Sequence, residues 1–421
     1  MEWTAPAGSC DWLKIGKFLG AHNKPSIRIT FRPLTKSAVW QSFQPEKKSK
    51  RGICMFSRRD ILTIGAAAAT SVIMPRISLA QSTASLVETA KAAGEDQVII
   101  SMGSGVYLDL MNELFFAPFT KESGIKVVPT GGGQSEGLAQ LKAMTAANTV
   151  EWDLIGLSYE VAQSKEFKPF LEDLGDHCSK LPNVVSNGIE GSCFGTAVLW
   201  DPGGSVLTYD EQAFPNGGPQ NWADFWDVEK FPGPRSLPNF SPWVVLMAAL
   251  MADGVPADKL YPLDVDRAFA KLDKLKPNIA AWWTSGDQSQ QLLRTKEVVA
   301  SMLWNGRAAR LKEEGASIKY TWDGAIFEAQ LFGVIKGGPH PNAAKALLDF
   351  MYTRPEAHAA FIKKMYYSLP NKDAAALLDP AVAADLVTAP QNWPKVARMD
   401  GDWIDANRAA VTERWTKWIT G

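Results

Sequence analysis

The chain has 421 residues and a formal net charge of −1. Residues 81–421 hold most of the acidic side chains and have a net charge of −10. A chain this acidic is not expected to bind nucleic acid, because phosphates attract a basic surface. Its length is enough for two domains of ordinary size.

Residues 1–54 show no clean hydrophobic periodicity and contain ten basic and three acidic side chains. Met55 stands directly before the next recognisable segment. We therefore interpret residues 1–54 as an upstream start-site extension that is absent from the mature protein. A secreted protein that began upstream of Gln81 would contradict this interpretation.

The segment 55–80 resembles a bacterial twin-arginine (Tat) export signal. The pair Arg58-Arg59 precedes an alanine-rich run, and the segment ends at Ala80 in a small-x-small motif typical of cleavage sites. The apolar run is about 14 residues long, whereas a membrane span needs roughly 20. The sequence thus predicts the Tat translocase as a partner during export and a periplasmic location. A membrane anchor or a chance arginine pair is the alternative.

Three predicted strands alternate with two predicted helices in the first half of the exported chain. The strands are 97–102, 125–130 and 152–157, and the helices are 107–124 and 135–147. This βαβαβ order predicts a parallel sheet with right-handed crossovers. Ligands of such sheets bind beyond the carboxyl ends of the strands. Those ends carry the loops 103–107, 130–135 and 158–160.

The second half repeats this style after a proline- and glycine-rich connector. Further strands are predicted at 204–210, 297–304 and 329–336, and helices near 242–253, near 264–276 and over most of 341–421. Apolar runs bounded by glycine or proline indicate the strands. A second sheet-based domain is therefore expected.

Cys178 and Cys193 are the two cysteines that follow the export signal. In an oxidising compartment we expect them to form a disulfide that closes a loop of about 15 residues and stabilises the fold by roughly 3 kcal/mol in the chain-entropy model. Two unpaired buried thiols are the alternative. Neither cysteine has a histidine at zinc-finger spacing, so structural zinc is not predicted. We predict no cofactor.

No pattern of catalytic residues is evident. The histidines after residue 80 are His177, His340 and His358, and none stands near a serine or cysteine in a nucleophile-elbow context. A secreted hydrolase remains an alternative that would need such a pair. The adjacent Tyr366 and Tyr367 leave ferric-ion binding as another alternative, because phenolate oxygens ligate iron when further ligands are nearby.

Three tryptophans stand where ligands of an α/β sheet bind. Trp304 ends a predicted strand, and Trp282 and Trp283 precede a predicted helix start. An indole face attracts an ammonium group by about 0.5–2 kcal/mol. We predict that Trp304 and one of the adjacent pair, Trp283, form walls of a ligand cleft. Most other tryptophans are expected in the core.

Seven segments, taken in order, carry a resemblance to a known family. They are FTKESGIKVVPT, WDLIGLS, NWADFWDVEKFPG, KLKPNIAAWWTSGDQSQQLL, EVVASMLWNGRAA, KALLDFMYTRPEAHAAFI and YYSLPNKDAA. In this order they resemble the periplasmic solute-binding proteins of ABC importers, specifically the spermidine/putrescine-binding-like group of the type II fold. The likeness spans nearly all of 97–421.

The resemblance implies an α/β fold of two lobes, each a mostly parallel sheet flanked by helices, joined by crossing hinge strands. Lobe one would cover 97–202 plus 308–337, and lobe two 205–305 plus 342–421. A small organic amine or zwitterion would bind between the lobes, close the hinge, and be delivered to an ABC permease in the inner membrane. We expect a monomer that catalyses no reaction. A ligand-sensing receptor partner with the same fold is a further alternative.

The resemblance also implies ligand contacts, residue by residue. They fall on the loop after the first strand, on the end of the third strand, on the tryptophan strand, and on the segments AIFEAQ and YYSLPN. The residues are Ser104, Tyr107, Ser158, Trp304, Glu328 or Gln330, and Tyr367. The alternatives are structural: the serines as helix caps, the aromatic side chains as core or hinge packing, and Glu328 as a surface charge. A carboxylate in a pocket is what an amine ligand needs.

Two departures from the polyamine-binding pattern bear on the ligand. Polyamine binders of this group carry acidic residues after the connector in lobe two, but the stretch 236–243 has none. Arg307 stands where some members have an acid, and arginine can bind a carboxylate through two parallel hydrogen bonds. We hypothesise a ligand with both an amine and a carboxylate, as in an ω-amino acid. A pure polyamine, and a surface role for Arg307, are the alternatives.

Overall fold

The computed structural model describes residues 81–131 and 134–421, so the start-site extension and the export signal lie outside the described residues. Ten strands are described. They are β1 Gln97–Ser101, β2 Lys126–Thr130, β3 Leu154–Ser158, β4 Ala197–Leu199, β5 Gly203–Asp210, β6 Arg235–Pro238, β7 Ile279–Trp283, β8 Ala300–Trp304, β9 Ile318–Glu328 and β10 Gln330–Val334.

Fifteen α-helices are described in the same ranges. They are α1 Gln81–Ala92, α2 Val106–Met111, α3 Ala117–Ser123, α4 Gln134–Ala146, α5 Tyr159–Gln163, α6 Pro182–Asn187, α7 Trp222–Trp226, α8 Pro242–Ala252, α9 Val265–Leu275, α10 Gly286–Arg294, α11 Asn305–Glu313, α12 Pro341–Met351, α13 Pro355–Met365, α14 Pro380–Ala384 and α15 Gly401–Thr420. A π-helical turn, Asn112–Phe116, joins α2 to α3. Within the described residues, no helix is both long and apolar enough to span a bilayer.

The first sheet has the strand order β2-β1-β3-β10-β4. β1 lies parallel to both β2 and β3, as the βαβαβ pattern predicts. β10 returns from much later in the chain and pairs antiparallel with both β3 and β4. β1 and β3 are rich in valine, isoleucine and leucine, which suits strands covered by helices on both faces.

The second sheet has the strand order β7-β6-β8-β5-β9. β6 lies parallel to β7 and β8, whereas β5 is antiparallel to β8 and β9. The predicted class, two α/β lobes with helix-flanked sheets, is confirmed. Both sheets are mixed instead of mostly parallel, because each contains strands that cross between the lobes and run back against their neighbours.

Two adjacent chain segments, the crossing connections, join the lobes. The first leads from β4 through residues 200–202 into β5, and the second leads from β9 through Ala329 into β10. Gly203 pairs with Glu328 at the start of the second sheet, and Leu199 pairs with Leu331 at the edge of the first. The two connections therefore run antiparallel and adjacent to each other.

Close packing at the first crossing requires glycine. A Cβ on Gly203 would lie 2.6 Å from Asn305 Oδ1, and a Cβ on Gly204 would lie 2.8 Å from the carbonyl oxygen of Ile326. Real Cβ atoms do not approach other atoms so closely. The Asn305 amide oxygen uses this space to accept a hydrogen bond from Gly204 N at 3.0 Å. The crossing strand and the start of α11 are thus held together.

The lobe boundaries differ from those expected. The sequence placed 308–337 in lobe one and 342–421 in lobe two. Instead, β9 pairs with β5 along its length, so residues 318–328 belong to the second sheet. Helices α12 and α13 bury their apolar side chains in the core that contains β1 and β10. Local sequence pattern does not reveal these long-range partners, because they are fixed by strand pairing across more than a hundred residues.

The last helix returns to the second lobe and also reaches the first. In α15, Trp415 packs edge-on against Trp282 at 5.4 Å and against Phe269 at 6.3 Å. The same helix lies against α5 of the first lobe and α8 of the second. Residues 401–420 therefore border the space between the lobes.

A disulfide joins Cys178 and Cys193 in the first lobe. Their Cα atoms are 5.8 Å apart, and 15 residues separate them along the chain. The bridge ties the short turn at Asp176–Cys178 to the segment before β4. Because β4 leads directly into the first crossing, the disulfide constrains the approach to the hinge.

Candidate functional site

A cavity with a volume of about 1030 Å³ lies between the two lobes. We call it the inter-lobe cavity. Its walls come from the loop after β1, the end of β3, both crossing connections, the start of α8, the end of β8 and one face of α15. Six of the eight predicted contact residues line it: Ser104, Tyr107, Ser158, Trp304, Glu328 and Tyr367. The alternative residue Gln330 lines it too.

The loop after β1 places Tyr107 in the cavity wall. Gly105, at the start of α2, has a φ of 74°, a conformation that glycine adopts readily. The Tyr107 hydroxyl donates a hydrogen bond to Gln330 Oε1 at 2.6 Å, across to the second crossing. Burial, followed by the negative charge of Asp201, raises the pKa of Tyr107 well above its usual value. Tyr107 therefore stays a neutral phenol at any physiological pH.

The end of β3 contributes Ser158 and, through the first turn of α5, Glu160. Ser158 makes no side-chain cap on α5, and its Oγ has no hydrogen-bond partner within 81–131 and 134–421. A buried hydroxyl without a partner costs about 1–3 kcal/mol, which a polar ligand group would relieve. The expected alternative, a helix cap, does not occur.

Asp201 lies in the first crossing and was not predicted. Its Oδ1 accepts a hydrogen bond from Gln330 N at 2.7 Å, so the carboxyl ties the two crossings together. Burial raises its pKa to about 7, against the opposing effect of that hydrogen bond. Asp201 is therefore a half-buried carboxyl in the cavity wall, and its pKa is raised toward neutrality.

Glu328 lies opposite in the second crossing, paired with Gly203. Its Oε1 accepts a short hydrogen bond from Ser205 Oγ, and its Oε2 accepts one from Trp304 Nε1 at 3.1 Å. Burial raises its pKa to about 7, although both hydrogen bonds favour the charged form. Glu328 is thus held in one orientation at the cavity surface, and the surface-charge alternative does not apply.

Trp304 ends β8 and Trp283 ends β7 of the second sheet, but the two side chains differ in exposure. Trp304 is partly buried and lines the cavity. The prediction that Trp283 forms a wall is corrected, because its side chain has no exposed surface. Trp283 donates a hydrogen bond to the carbonyl oxygen of Met302 at 3.0 Å and packs against Trp304 at 5.4 Å between ring centres. It supports the wall from behind.

Arg307 does not reach the inter-lobe cavity. Its Nη1 donates a hydrogen bond to Asp287 Oδ1 at 2.7 Å and lies 3.3 Å from Gln290 Oε1. It lines a separate surface groove with other side chains of α10 and α11. Arg307 is therefore absent from the cavity lining, where the sequence had placed it. Burial raises the pKa of Tyr367 in that lining, and the positive charge of Arg307 lies close enough to oppose this rise.

The adjacent tyrosines that suggested iron face different spaces. Tyr367 lines the inter-lobe cavity, whereas Tyr366 lines a smaller pocket of about 240 Å³ beside Tyr320 and Asp385. Tyr366 has a φ of 60°, which turns the chain between the two side chains. One metal ion cannot bind both phenolates in this arrangement. No cluster of three or more potential ligands from histidine, cysteine, aspartate and glutamate occurs in the described ranges.

Arg408 is the second cavity residue that sequence reasoning missed. It lies on α15, and its guanidinium carbon is 4.8 Å from the ring centre of Trp243. Its Nη2 donates a hydrogen bond to Asp405 Oδ1 at 3.2 Å. Nothing in the local sequence distinguishes Arg408 from the other basic residues of this helix. For Asp201, the other missed residue, the proline and glycines that follow it could have indicated a crossing. Its hydrogen bond with Gln330 could not be predicted from the local sequence.

Comparison with known proteins agrees with this architecture. Residues 115–390 match the family of bacterial extracellular solute-binding proteins. A gamma-aminobutyric acid-binding protein from Pseudomonas aeruginosa is 32% identical over 344 residues, which cover 78% of this chain and 92% of that protein. A spermidine/putrescine-binding periplasmic protein from Escherichia coli is 26% identical over 283 residues, covering 65% and 78%. The structure of AttC from Agrobacterium tumefaciens C58, open and unliganded, is 37% identical with a TM-score of 0.66, covering 77% of this chain and all of that one. The chain belongs to the family of bacterial extracellular solute-binding proteins.

Proposed function

We propose that this protein captures a small amine-bearing solute in the inter-lobe cavity and delivers it to an ABC permease. One observation carries the proposal: two half-buried carboxyl groups, Asp201 and Glu328, lie in the cavity wall on adjacent crossing connections. A carboxylate that is partly withdrawn from water is stabilised by a cationic partner or a proton. An ammonium group supplies the charge that neither side chain finds elsewhere in the wall.

The side chains around these carboxyls suit an amine. Trp304 offers an indole face beside Glu328, and cation–π attraction is worth about 0.5–2 kcal/mol. Tyr107 and Gln330 hold each other in place and offer further oxygen atoms. Burial also raises the pKa of Tyr367, so this ring stays neutral beside the cation. A few oriented polar groups among aromatic rings are typical of small-molecule sites.

Hinge closure would couple binding to transport. The cavity wall combines residues of the first lobe, such as Ser104, with residues of the second, such as Trp304. A solute that touches both sets favours the conformation in which both are within reach, and it shifts the equilibrium by its difference in affinity for the two conformations. The permease would then recognise the closed form.

The relatives bind solutes of this chemistry. The names of the two similar proteins state binding of gamma-aminobutyric acid and of spermidine and putrescine. All three solutes carry amino groups that are protonated at neutral pH. Members of the family are solute-binding transport proteins, which supports transport over the hydrolase alternative. Among described residues of the cavity wall there is no histidine or cysteine.

Export to the periplasm is part of the proposal. Residues 55–80 would direct export through the Tat translocase and be removed near Ala80, and residues 1–54 would be missing from the mature protein. We further propose that the mature protein is a monomer. Intact-mass measurement of the secreted protein tests the first point, and an N-terminus upstream of Gln81 contradicts it. Light scattering of the purified protein tests the second.

Calorimetric titration tests the ligand class. Putrescine and 4-aminobutyrate are titrated into the mature protein, with butyrate as the control that lacks an amine. Glu328→Gln and Asp201→Asn should each weaken binding roughly tenfold to a hundredfold, because a hydrogen bond to a charged partner is worth about 1.5–3 kcal/mol. Asp323→Asn removes an exposed carboxyl from the same strand and should leave binding unchanged. Binding of butyrate equal to that of the amines, or unchanged affinity in both carboxyl variants, would refute the proposal.

A further inference from the structure

The wall of the inter-lobe cavity also contains a basic side chain, on α15 and beside the start of α8. Arg408 lies there, with its guanidinium against the ring of Trp243. A guanidinium has five N–H donors in a fixed planar fork. Within the described residues, the Arg408 side chain makes one hydrogen bond, to Asp405. The remaining donors are available to a molecule in the cavity.

The partner of Arg408 is itself incompletely satisfied. Asp405 Oδ2 is buried and has no hydrogen-bond partner in the described part of the chain. Burial raises the pKa of the nearby Glu160, and the positive charge of Arg408 opposes this effect. Arg408 therefore faces two carboxyls, but only Asp405 is hydrogen-bonded to it. A ligand carboxylate could accept from the free side of the guanidinium fork without displacing Asp405.

The start of α8 adds positive potential at the same place. Residues 239–244 line the cavity, and α8 runs for 11 residues from Pro242. Its N-cap residue, Ser241, makes no side-chain capping bond, and the first turn contains no acidic residue. The dipole of an α-helix favours negative charge at this terminus. Arg408 and the α8 terminus thus point to the same kind of ligand group.

Two threonine hydroxyl groups lie on the same helix as Arg408. Thr412 and Thr416 follow Arg408 at intervals of four residues, so all three lie on one face of α15. Both threonines are exposed and line the cavity.

We infer that Arg408, with the start of α8, binds an anionic group of the solute in the same cavity whose wall contains Asp201 and Glu328. The transported solute is therefore a zwitterion, with a carboxylate separated from its amine by several bonds. The inference rests on the proposed function, because the amine of the solute must bind at Asp201 and Glu328. Arg408 thus takes the role that was predicted for Arg307 from the sequence, which is to bind the carboxylate of the solute. A diamine would place its second positive charge against the guanidinium, which like charges disfavour.

Matched ligand pairs test this directly. ω-Amino acids of four to six carbons are titrated beside their terminal amides, which keep the amine and the length but lose the negative charge. The wild-type protein should prefer at least one acid over its amide by roughly tenfold or more, as expected for charge-assisted hydrogen bonds. Equal affinity for acid and amide at every chain length overturns the inference, and this measurement needs no variant that might misfold.

Variants then locate the anion site. Arg408→Gln should reduce the acid-to-amide ratio to near one, while putrescine binds as well as before or better. Arg414→Gln, on the same helix but outside the cavity and paired with Asp266, should keep the wild-type ratio. A ratio that survives in Arg408→Gln overturns the assignment. If no amine of any kind binds the wild-type protein, the proposed function itself fails, which is a separate outcome.

Discussion

Trp304 and Trp283 pack against each other, yet their side chains lie in different surroundings. Trp304 is in the wall of the inter-lobe cavity, and its indole N–H donates a hydrogen bond to Glu328. Trp283 is fully buried against Trp304, and its indole N–H donates a hydrogen bond to the backbone carbonyl oxygen of Met302. In the proposed function Trp304 contacts the solute, whereas Trp283 stabilises the position of Trp304. The predictions below separate these two roles by asking which changes alter affinity and which alter stability.

The largest expected effect comes from Trp283. Trp283→Ala removes a fully buried indole that packs against Phe240 and Trp304, and should lower the free energy of unfolding by about 3–5 kcal/mol. Urea denaturation followed by circular dichroism measures it. A loss below 1 kcal/mol, with ligand affinity abolished in a fully folded protein, would place Trp283 in the wall after all.

The disulfide is a second support, distant from the solute. Replacing Cys178 and Cys193 together with serine should lower the free energy of unfolding by roughly 3 kcal/mol, because the unfolded chain regains the freedom of a 15-residue loop. Affinity for the solute should change less than twofold when both proteins are folded. A large change in affinity at constant stability would show that the loop shapes the cavity.

The next largest expected effect is the pH dependence of amine binding, which is caused by protonation of Asp201 and Glu328. The pKa values of Asp201 and Glu328 are raised to about 7 by burial, and an ammonium ligand binds the charged forms. Lowering the pH from 7 to 6 should therefore weaken amine binding by up to about 1.4 kcal/mol, or tenfold, per proton taken up on ligand release. Calorimetry in buffers of different ionisation enthalpy counts those protons.

The stability of the ligand-free protein should respond to pH in the opposite direction. Because both folded-state pKa values are raised, the folded protein holds protons that the unfolded chain releases between about pH 4 and pH 7. Unfolding free energy should thus fall as pH rises through this window. Asp201→Asn and Glu328→Gln should each flatten the profile, and an unchanged profile in both variants would contradict the raised pKa values.

The smallest expected effect belongs to the ring face of the wall. Trp304→Ala should weaken amine binding by about 0.5–2 kcal/mol through loss of cation–π attraction and of the hydrogen bond to Glu328. Trp304→Phe keeps the ring but not the N–H, and should recover part of that affinity. If Trp304→Ala costs stability as Trp283→Ala does, without affecting affinity, the distinction between the two roles fails.

The sequence was informative where the chemistry is local. The βαβαβ order of the first sheet and the Trp304 strand could be predicted from periodicity, because strands and turns are determined by near neighbours. The contact residues were implied by the resemblance of the seven segments to a known family. Trp283 was misplaced because adjacent residues on a strand face opposite sides of the sheet. One of the pair had to face the core, and the sequence did not indicate which.

The missing parts depend on contacts between distant residues. Asp201 is held in the cavity wall by a hydrogen bond from Gln330 N, which lies more than a hundred residues later in the chain. Arg408 reaches the cavity because α15 returns to the gap between the lobes. Lobe boundaries failed for the same reason, since the strand that carries Glu328 pairs with β5 of the second sheet. Pairings of this kind are not encoded in any short window of sequence.

The placement of Asp201 and Glu328 on the crossing connections has a consequence for evolution and engineering. In the proposed hinge closure, these connections are the segments that bend. Any mutation that retunes the chemistry of the carboxyls also alters the stiffness of those segments. Variants selected for a new solute should therefore differ from the parent in how fast they open and close, even where both halves keep their internal packing unchanged.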